Sequence, residues 1–223
     1  MTDRLQAVEI NPSRTPIGTV IWLHGLGADG HDFAPLVPEL QLPETLPLRF
    51  VFPHAPPIPV SINNQFVMPA WYDILSLSVE RHADQAGIEL STKKIARLIE
   101  HEKTLGMSTE KIVLAGFSQG AVMALTTGIT SPDKLAGIIA LSGYLPHEET
   151  VLKQASPANR SIPIFLAHGT TDTVVPPALG EHVFRFLEKN QFPVAWHAYA
   201  MPHTVCPEEV RDISAFLQQI FTA

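Results

Sequence analysis

Short apolar runs, separated by longer stretches of helical period, leave this chain very few architectures. The runs are Thr19–Leu23, Arg49–Phe52, Lys111–Ala115, Gly137–Leu141, Ile162–Ala167 and Val194–Tyr199. They lack the polar alternation of a strand with one wet face. Such runs belong to strands buried on both faces, the usual state of a parallel sheet. Leu5 to Ile10 is weaker and is expected at a sheet edge. Between the runs, Ile95, Leu98, Ile99 and Leu105 recur at helical spacing, with Ser91 or Thr92 as the expected cap and Gly106 as the stop. A last helix is expected after Pro207, turning Val210, Ile213, Leu217 and Ile220 inward. This alternation predicts one α/β domain over residues 1–223: a mostly parallel central sheet with helices on both faces.

Composition narrows the function classes. Hydrophobic residues make up 45% of the chain and charged residues 17%, which excludes intrinsic disorder. Fifteen Lys and Arg against 22 Asp and Glu give a net charge of −7, a poor footprint for nucleic acid. Cys206 is the single cysteine, so no intrachain disulfide forms and nothing points to an oxidising compartment. The N-terminal segment lacks the pattern of a signal peptide, and no run of transmembrane length occurs. The expectation is a cytoplasmic protein.

Residues 54–78 stand apart. They hold several prolines and an apolar set that includes Phe66, Val67, Met68, Trp71, Ile74, Leu75 and Leu77. The segment is long for a plain connector. Two readings stay open: a loop folded onto the core, or the wall or lid of an apolar substrate groove.

The strongest chemical signal is Gly116-Phe117-Ser118-Gln119-Gly120, between an expected strand and an expected helix. A G-x-S-x-G pentapeptide in that context places a serine on a sharp strand-to-helix turn. A serine hydroxyl needs a base to take its proton and a third group to orient that base. Hydrolases of this kind carry them in the order Ser, acid, His. Asp172 and His203 follow Ser118 in that order, each just after an expected strand. Two backbone donors are also needed for an oxyanion. Gln119 follows the nucleophile, and Leu26 sits in the glycine-rich corner His24-Gly25-Leu26-Gly27 after the first buried strand.

Rival chemistries fare worse. Gly25-Leu-Gly-Ala-Asp-Gly30 matches the dinucleotide fingerprint, but no carboxylate follows the next strand and Pro35 and Pro38 interrupt the following helix. Ten histidines are present without H-E-x-x-H or paired cysteines, so no metal is expected, and His24 and His168 are read as packing residues of their His-Gly corners. A non-catalytic binding module on the same fold is the remaining alternative.

At these residues the sequence resembles the phospholipase/carboxylesterase family of serine hydrolases, whose eukaryotic relatives are the acyl-protein thioesterases. The likeness rests on Leu23–Gly27, Met68–Ile74, Gly116–Gly120, Leu141–Pro146, His168–Asp172 and Pro202-His203. It implies an α/β-hydrolase fold without a separate cap domain, working without a cofactor on carboxylic esters or thioesters of acyl chains. By resemblance, Ser118, Asp172 and His203 match the triad, and Leu26 and Gln119 the oxyanion donors. The acyl channel maps to Leu26, to the Trp71–Leu77 segment with Trp71, Ile74, Leu75 and Leu77, and to Tyr144 and Leu179. The implied partner is an acyl ester or thioester with an apolar chain. Monomer or homodimer, and transient contact with a membrane surface, both remain open.

Overall fold

Alternate residues of each central strand enter different cores, as the two-residue period of a strand requires. Along Gly18–Leu23, Ile21 and Leu23 join one buried cluster while Val20 and Trp22 join the other. The computed structural model describes residues 4–75 and 83–222. In chain order its elements are β1 (Ala7–Ile10), β2 (Gly18–Leu23), α1 (Leu36–Glu39), β3 (Leu48–Pro53), β4 (Pro57–Val60), β5 (Phe66–Pro69), α2 (Gln85–Thr104) and β6 (Ile112–Phe117). There follow α3 (Gln119–Thr130), β7 (Gly137–Leu141), α4 (Glu148–Lys153), β8 (Ile164–Gly169), α5 (Pro177–Lys189), β9 (Val194–Tyr199) and α6 (Pro207–Thr222).

Seven strands form one sheet in the order β1-β3-β2-β6-β7-β8-β9. All neighbours run parallel except the edge strand β1, which lies antiparallel to β3. Ile95 and Leu98 of α2, Val122 and Leu125 of α3, and Val183 and Leu187 of α5 cover one face. Val210, Ile213 and Leu217 of α6 cover the other, with Leu40 just beyond α1. The strand order reverses beside β2, and open α/β sheets bind ligands in the crevice at that point, outside the carboxyl ends.

The structure differs from the sequence reading in four places, one being β9, expected buried on both faces but half-exposed at the edge of the sheet. α2 starts at Gln85, so Ser91 lies inside the helix and is buried; its hydroxyl donates to the Trp71 carbonyl instead of capping. Leu105 is exposed, because it falls on the C-cap, where the backbone leaves the helical period before Gly106 turns it at φ 92°. The segment expected as an irregular loop contains a hairpin, β4 paired antiparallel with β5. A two-stranded ribbon has two outer edges, and outward positions tolerate Pro57 and Pro59, which have no N–H to give.

Candidate active site

β6 passes into α3 through Ser118, whose backbone sits at φ 55°, ψ −116°. A positive φ is costly for a residue with a Cβ and persists only where the surroundings enforce it. Here Ser118 N–H donates to Leu141 O of β7 at 2.8 Å, and Ala121 N–H donates back to Ser118 O at 3.0 Å. The flanking glycines are a packing requirement. A Cβ on Gly116 would overlap the Gly120 carbonyl, and one on Gly120 would overlap the carbonyls of Leu23 and His24. The turn is therefore wedged against the end of β2.

The β2–β6 register pairs Leu23 with Gly116, which brings the chain after β2 alongside Ser118. A Cβ on Gly25 would stand 3.5 Å from Ser118 Cβ. His24 braces this corner from within. Ala55 N–H donates to its Nε2 at 3.0 Å, so the ring proton is on Nδ1 and is given to Gly25 O at 2.7 Å. Burial lowers the His24 pKa below the ordinary imidazole value, which suits this neutral form. Trp71 Nε1–H donates to His24 O at 2.9 Å, and Gly27 N–H donates to Pro69 O at 2.9 Å, tying the corner to the hairpin. The Gln119 side chain completes the tie, accepting from Trp71 N–H at 2.8 Å and donating to Tyr72 O at 2.7 Å. Among the described residues, the N–H groups of Leu26 and Gln119 donate to no protein acceptor. Gln119 N–H is one of the donors that every helix start leaves unmatched.

β8 and β9 end side by side, with Gly169 opposite Tyr199. Asp172 follows the first and His203 the second. Asp172 is buried; its Oδ1 accepts from Val174 N–H and Val175 N–H, both at 2.8 Å, and its Oδ2 accepts from His203 Nδ1 at 2.6 Å. Three donors hold the carboxylate and leave His203 with Nδ1 engaged and Nε2 unengaged. His168 lies beneath, its Nε2 donating to Val175 O at 2.8 Å. Burial lowers its pKa and favours the neutral ring. The Phe117 ring packs 4.7 Å from the His203 ring, so the residue before the serine places the histidine. The hydrogen bonds among described residues include none between Ser118 Oγ and His203. Such contacts are often loose until substrate binds.

The expected acyl-channel residues do not share one environment. Trp71, Ile74 and Tyr144 are buried, with Tyr144 and Tyr72 hydroxyls 2.9 Å apart. Leu75 is exposed, Leu179 and Leu26 are half-buried against the same core, and Leu77 lies outside the described residues. His24 packs in its His-Gly corner as the sequence reading expected. The bracing roles of Phe117 and the Gln119 side chain were not anticipated, and only their place within a short motif marked them.

Asp29, His31 and His54 bring potential metal-ligand atoms within 4.8 Å of one another. Their hydrogen bonds serve the loop instead. Asp29 Oδ1 accepts from His31 N–H at 2.7 Å, and Gly30 N–H donates to His54 Nδ1 at 3.1 Å, which puts the neutral ring's proton on Nε2 and leaves neither nitrogen free. The dinucleotide reading fails on geometry, since no helix starts at Gly30 and α1 is four residues long.

A mostly parallel seven-stranded sheet, with a serine on the turn after its central strand, defines an α/β hydrolase. The chain belongs to the phospholipase/carboxylesterase family, whose model matches residues 5–221. It is 38% identical to acyl-protein thioesterase 1 of Mycosarcoma maydis, with 98% of each chain covered. It is 40% identical to acyl-protein thioesterase 1 of Gibberella zeae, over 90% of this chain and 89% of the other. Among solved structures it superimposes on Zea mays acyl-protein thioesterase 2 with a TM-score of 0.87 at 29% identity, covering 97% of this chain and 99% of that one.

Proposed function

We propose that this protein hydrolyses esters and thioesters of acyl chains, with Ser118 as nucleophile, His203 as base and Asp172 as the group that orients it. The observation that carries the reading is the hydrogen bond at 2.6 Å between the buried Asp172 carboxylate and His203, whose ring packs on Phe117 beside a serine on a strained turn. His203 Nε2 takes the Ser118 proton as Oγ attacks the acyl carbon. The unspent N–H groups of Leu26 and Gln119 receive the oxyanion. On collapse, His203 returns the proton to the departing thiol or alcohol. Water then attacks the acyl-serine and gives a proton to His203, which returns it to Ser118 Oγ as the acyl–oxygen bond breaks, releasing the acid and the free serine hydroxyl. The names of the relatives favour thioesters of acylated proteins.

The acyl chain is assigned to the hairpin side, near Leu75, Leu179 and Tyr144. Phe66 and Val67 of β5 are exposed on the hairpin, an apolar surface suited to an acyl chain or brief contact with a lipid surface. No described helix is long and apolar enough to cross a membrane. One cysteine in the whole chain fits a reducing compartment, and we place the activity in the cytoplasm.

The test is labelling with a fluorophosphonate, read by intact mass and peptide mapping. The expected result is one adduct, on Ser118, lost in Ser118→Ala and strongly slowed in His203→Ala. A folded wild-type chain that takes no label would reject the triad and favour a binding module on the same fold.

A further inference from the structure

A cavity of about 560 Å³ opens beside His203 and Phe117, walled by Phe33 and Leu36 on one side and Val205 on the other. A second, of about 590 Å³, shares Leu36, Glu39 and Val205 with it and continues along α6 from Pro207 past Arg211 to Gln218. Together they form one groove starting at the histidine. Ile74, Leu75, Tyr144 and Leu179 line neither part, so the groove is separate from the assigned acyl side. The substituents of a reacting carbonyl carbon diverge, and the base that took the serine proton must return it to the leaving group. The leaving group therefore lies on the His203 side, where this groove begins.

The groove's charge and length define its occupant. Asp32 and Glu39 stand exposed on its wall, and among the described residues neither is held in an ion pair or a side-chain hydrogen bond. Arg211, the lining cation, is paired with Glu208 at 3.3 Å. From Pro207 to Gln218 the helix advances about 16 Å. An extended chain covers that in about five residues. A small alcohol or thiol would leave most of it empty.

We propose that the groove receives an extended, cationic peptide whose acylated cysteine supplies the leaving thiol. Asp32 and Glu39 select lysine or arginine close to that cysteine, and the apolar wall of Phe33, Leu36 and Val205 carries the backbone. The inference rests on the reading of Ser118, His203 and Asp172 given above.

The test uses the full chain and S-octanoyl-cysteinyl hexapeptides that differ only in Lys, Ser or Glu beside the cysteine, with kcat/KM read as free thiol. The expected order is Lys over Ser over Glu, with a Lys-to-Glu ratio of about ten at low ionic strength, shrinking as salt screens these exposed charges. In Asp32→Asn/Glu39→Gln the ratio falls toward one. Because the ratio is taken within each preparation, a partly folded variant does not distort it. S-Octanoylthiocholine, a cationic thioester with no chain to fill the groove, is expected to lag well behind the Lys peptide. A ratio of one in the wild type, a ratio that survives the double substitution, or thiocholine turnover equal to the Lys peptide would each overturn the proposal. Dissociation constants of the amide-linked, uncleavable peptides separate this from the triad reading. Absent turnover with the Lys-over-Glu binding order preserved rejects the triad and keeps the groove; equal binding rejects the groove.

Discussion

Gly120 shows how much of the site a single missing side chain sets. A Cβ there would meet the carbonyls of Leu23 and His24, which are backbone atoms and cannot swing aside. Gly120→Ala must push α3 off β2 or distort the corner that carries Leu26. We expect a loss of more than about 3 kcal/mol in urea unfolding, beyond ordinary overpacking because the obstacle is main chain. Gly106→Ala is the control: its Cβ would meet nothing within 4 Å, so only the φ of 92° opposes it, at a cost of about 1 kcal/mol. Equal losses in the two variants would show that close approach is not what Gly120 provides. The same steric demand explains why this turn was legible in the sequence: it dictates two glycines at fixed spacing about the serine. The Gln119 side chain was not legible. Its partners are the main chain of Trp71 and Tyr72, far along the chain, and a backbone contact leaves no residue-type signature.

At the scale of elements, β2, β3, β6, β7 and β8 were legible because burial on both faces leaves an unbroken apolar run, whereas β9 carries a similar run at a half-exposed edge. The β4–β5 hairpin was not, since its prolines signal broken structure until the two-stranded pairing shows which N–H positions face outward. Trp71 and Ile74 were open to either a groove or the core, because apolar content alone does not say which side of a wall a residue packs on. α6 carries a feature with thermodynamic consequences. Glu209, in its first turn, is fully buried, and among the described residues no cation pairs with its carboxylate. Burial pushes its pKa up to about 8 from 4.5. A carboxyl raised on folding binds more protons folded than unfolded between those two values, so its contribution to stability falls as pH rises through that window. Glu209→Gln removes the titration and keeps the shape. The variant should match the wild type near pH 4.5 and exceed it by a few kcal/mol at pH 8. Urea midpoints at the two pH values decide the matter; a gain independent of pH would place the effect elsewhere.

Across the whole molecule, the candidate site and a buried ionic cluster occupy opposite ends of the sheet. Ser118, Asp172, His203 and Leu26 all follow carboxyl ends of parallel strands, which is why the order of motifs along the chain pointed to residues that the fold brings to one end of the sheet. At the amino ends, Glu102 of α2 is buried and accepts from Thr19 Oγ1 at 2.8 Å and Arg49 Nε at 3.2 Å. Arg49 also reaches Glu9 at 2.9 Å, so this cluster joins α2 to β2, β3 and the edge strand. Thr19 pairs with Ile112, six residues before Ser118 along β6, or about 20 Å away. Glu102→Ala leaves a buried guanidinium short of a partner and a buried hydroxyl without an acceptor. The expected loss is about 3 kcal/mol, moderated by the Glu9 contact that remains. Ester hydrolysis by the folded fraction should stay within about two-fold, since the change leaves the carboxyl ends untouched. Arg49→Met/Glu102→Leu should be less destabilised than Glu102→Ala, because removing both charges leaves none stranded. Urea unfolding and kcat/KM on the same preparations test both statements. A variant that keeps its stability but loses turnover would mean that α2 transmits strain to the Ser91–Trp71 contact, and the division between the two ends of the sheet would not hold.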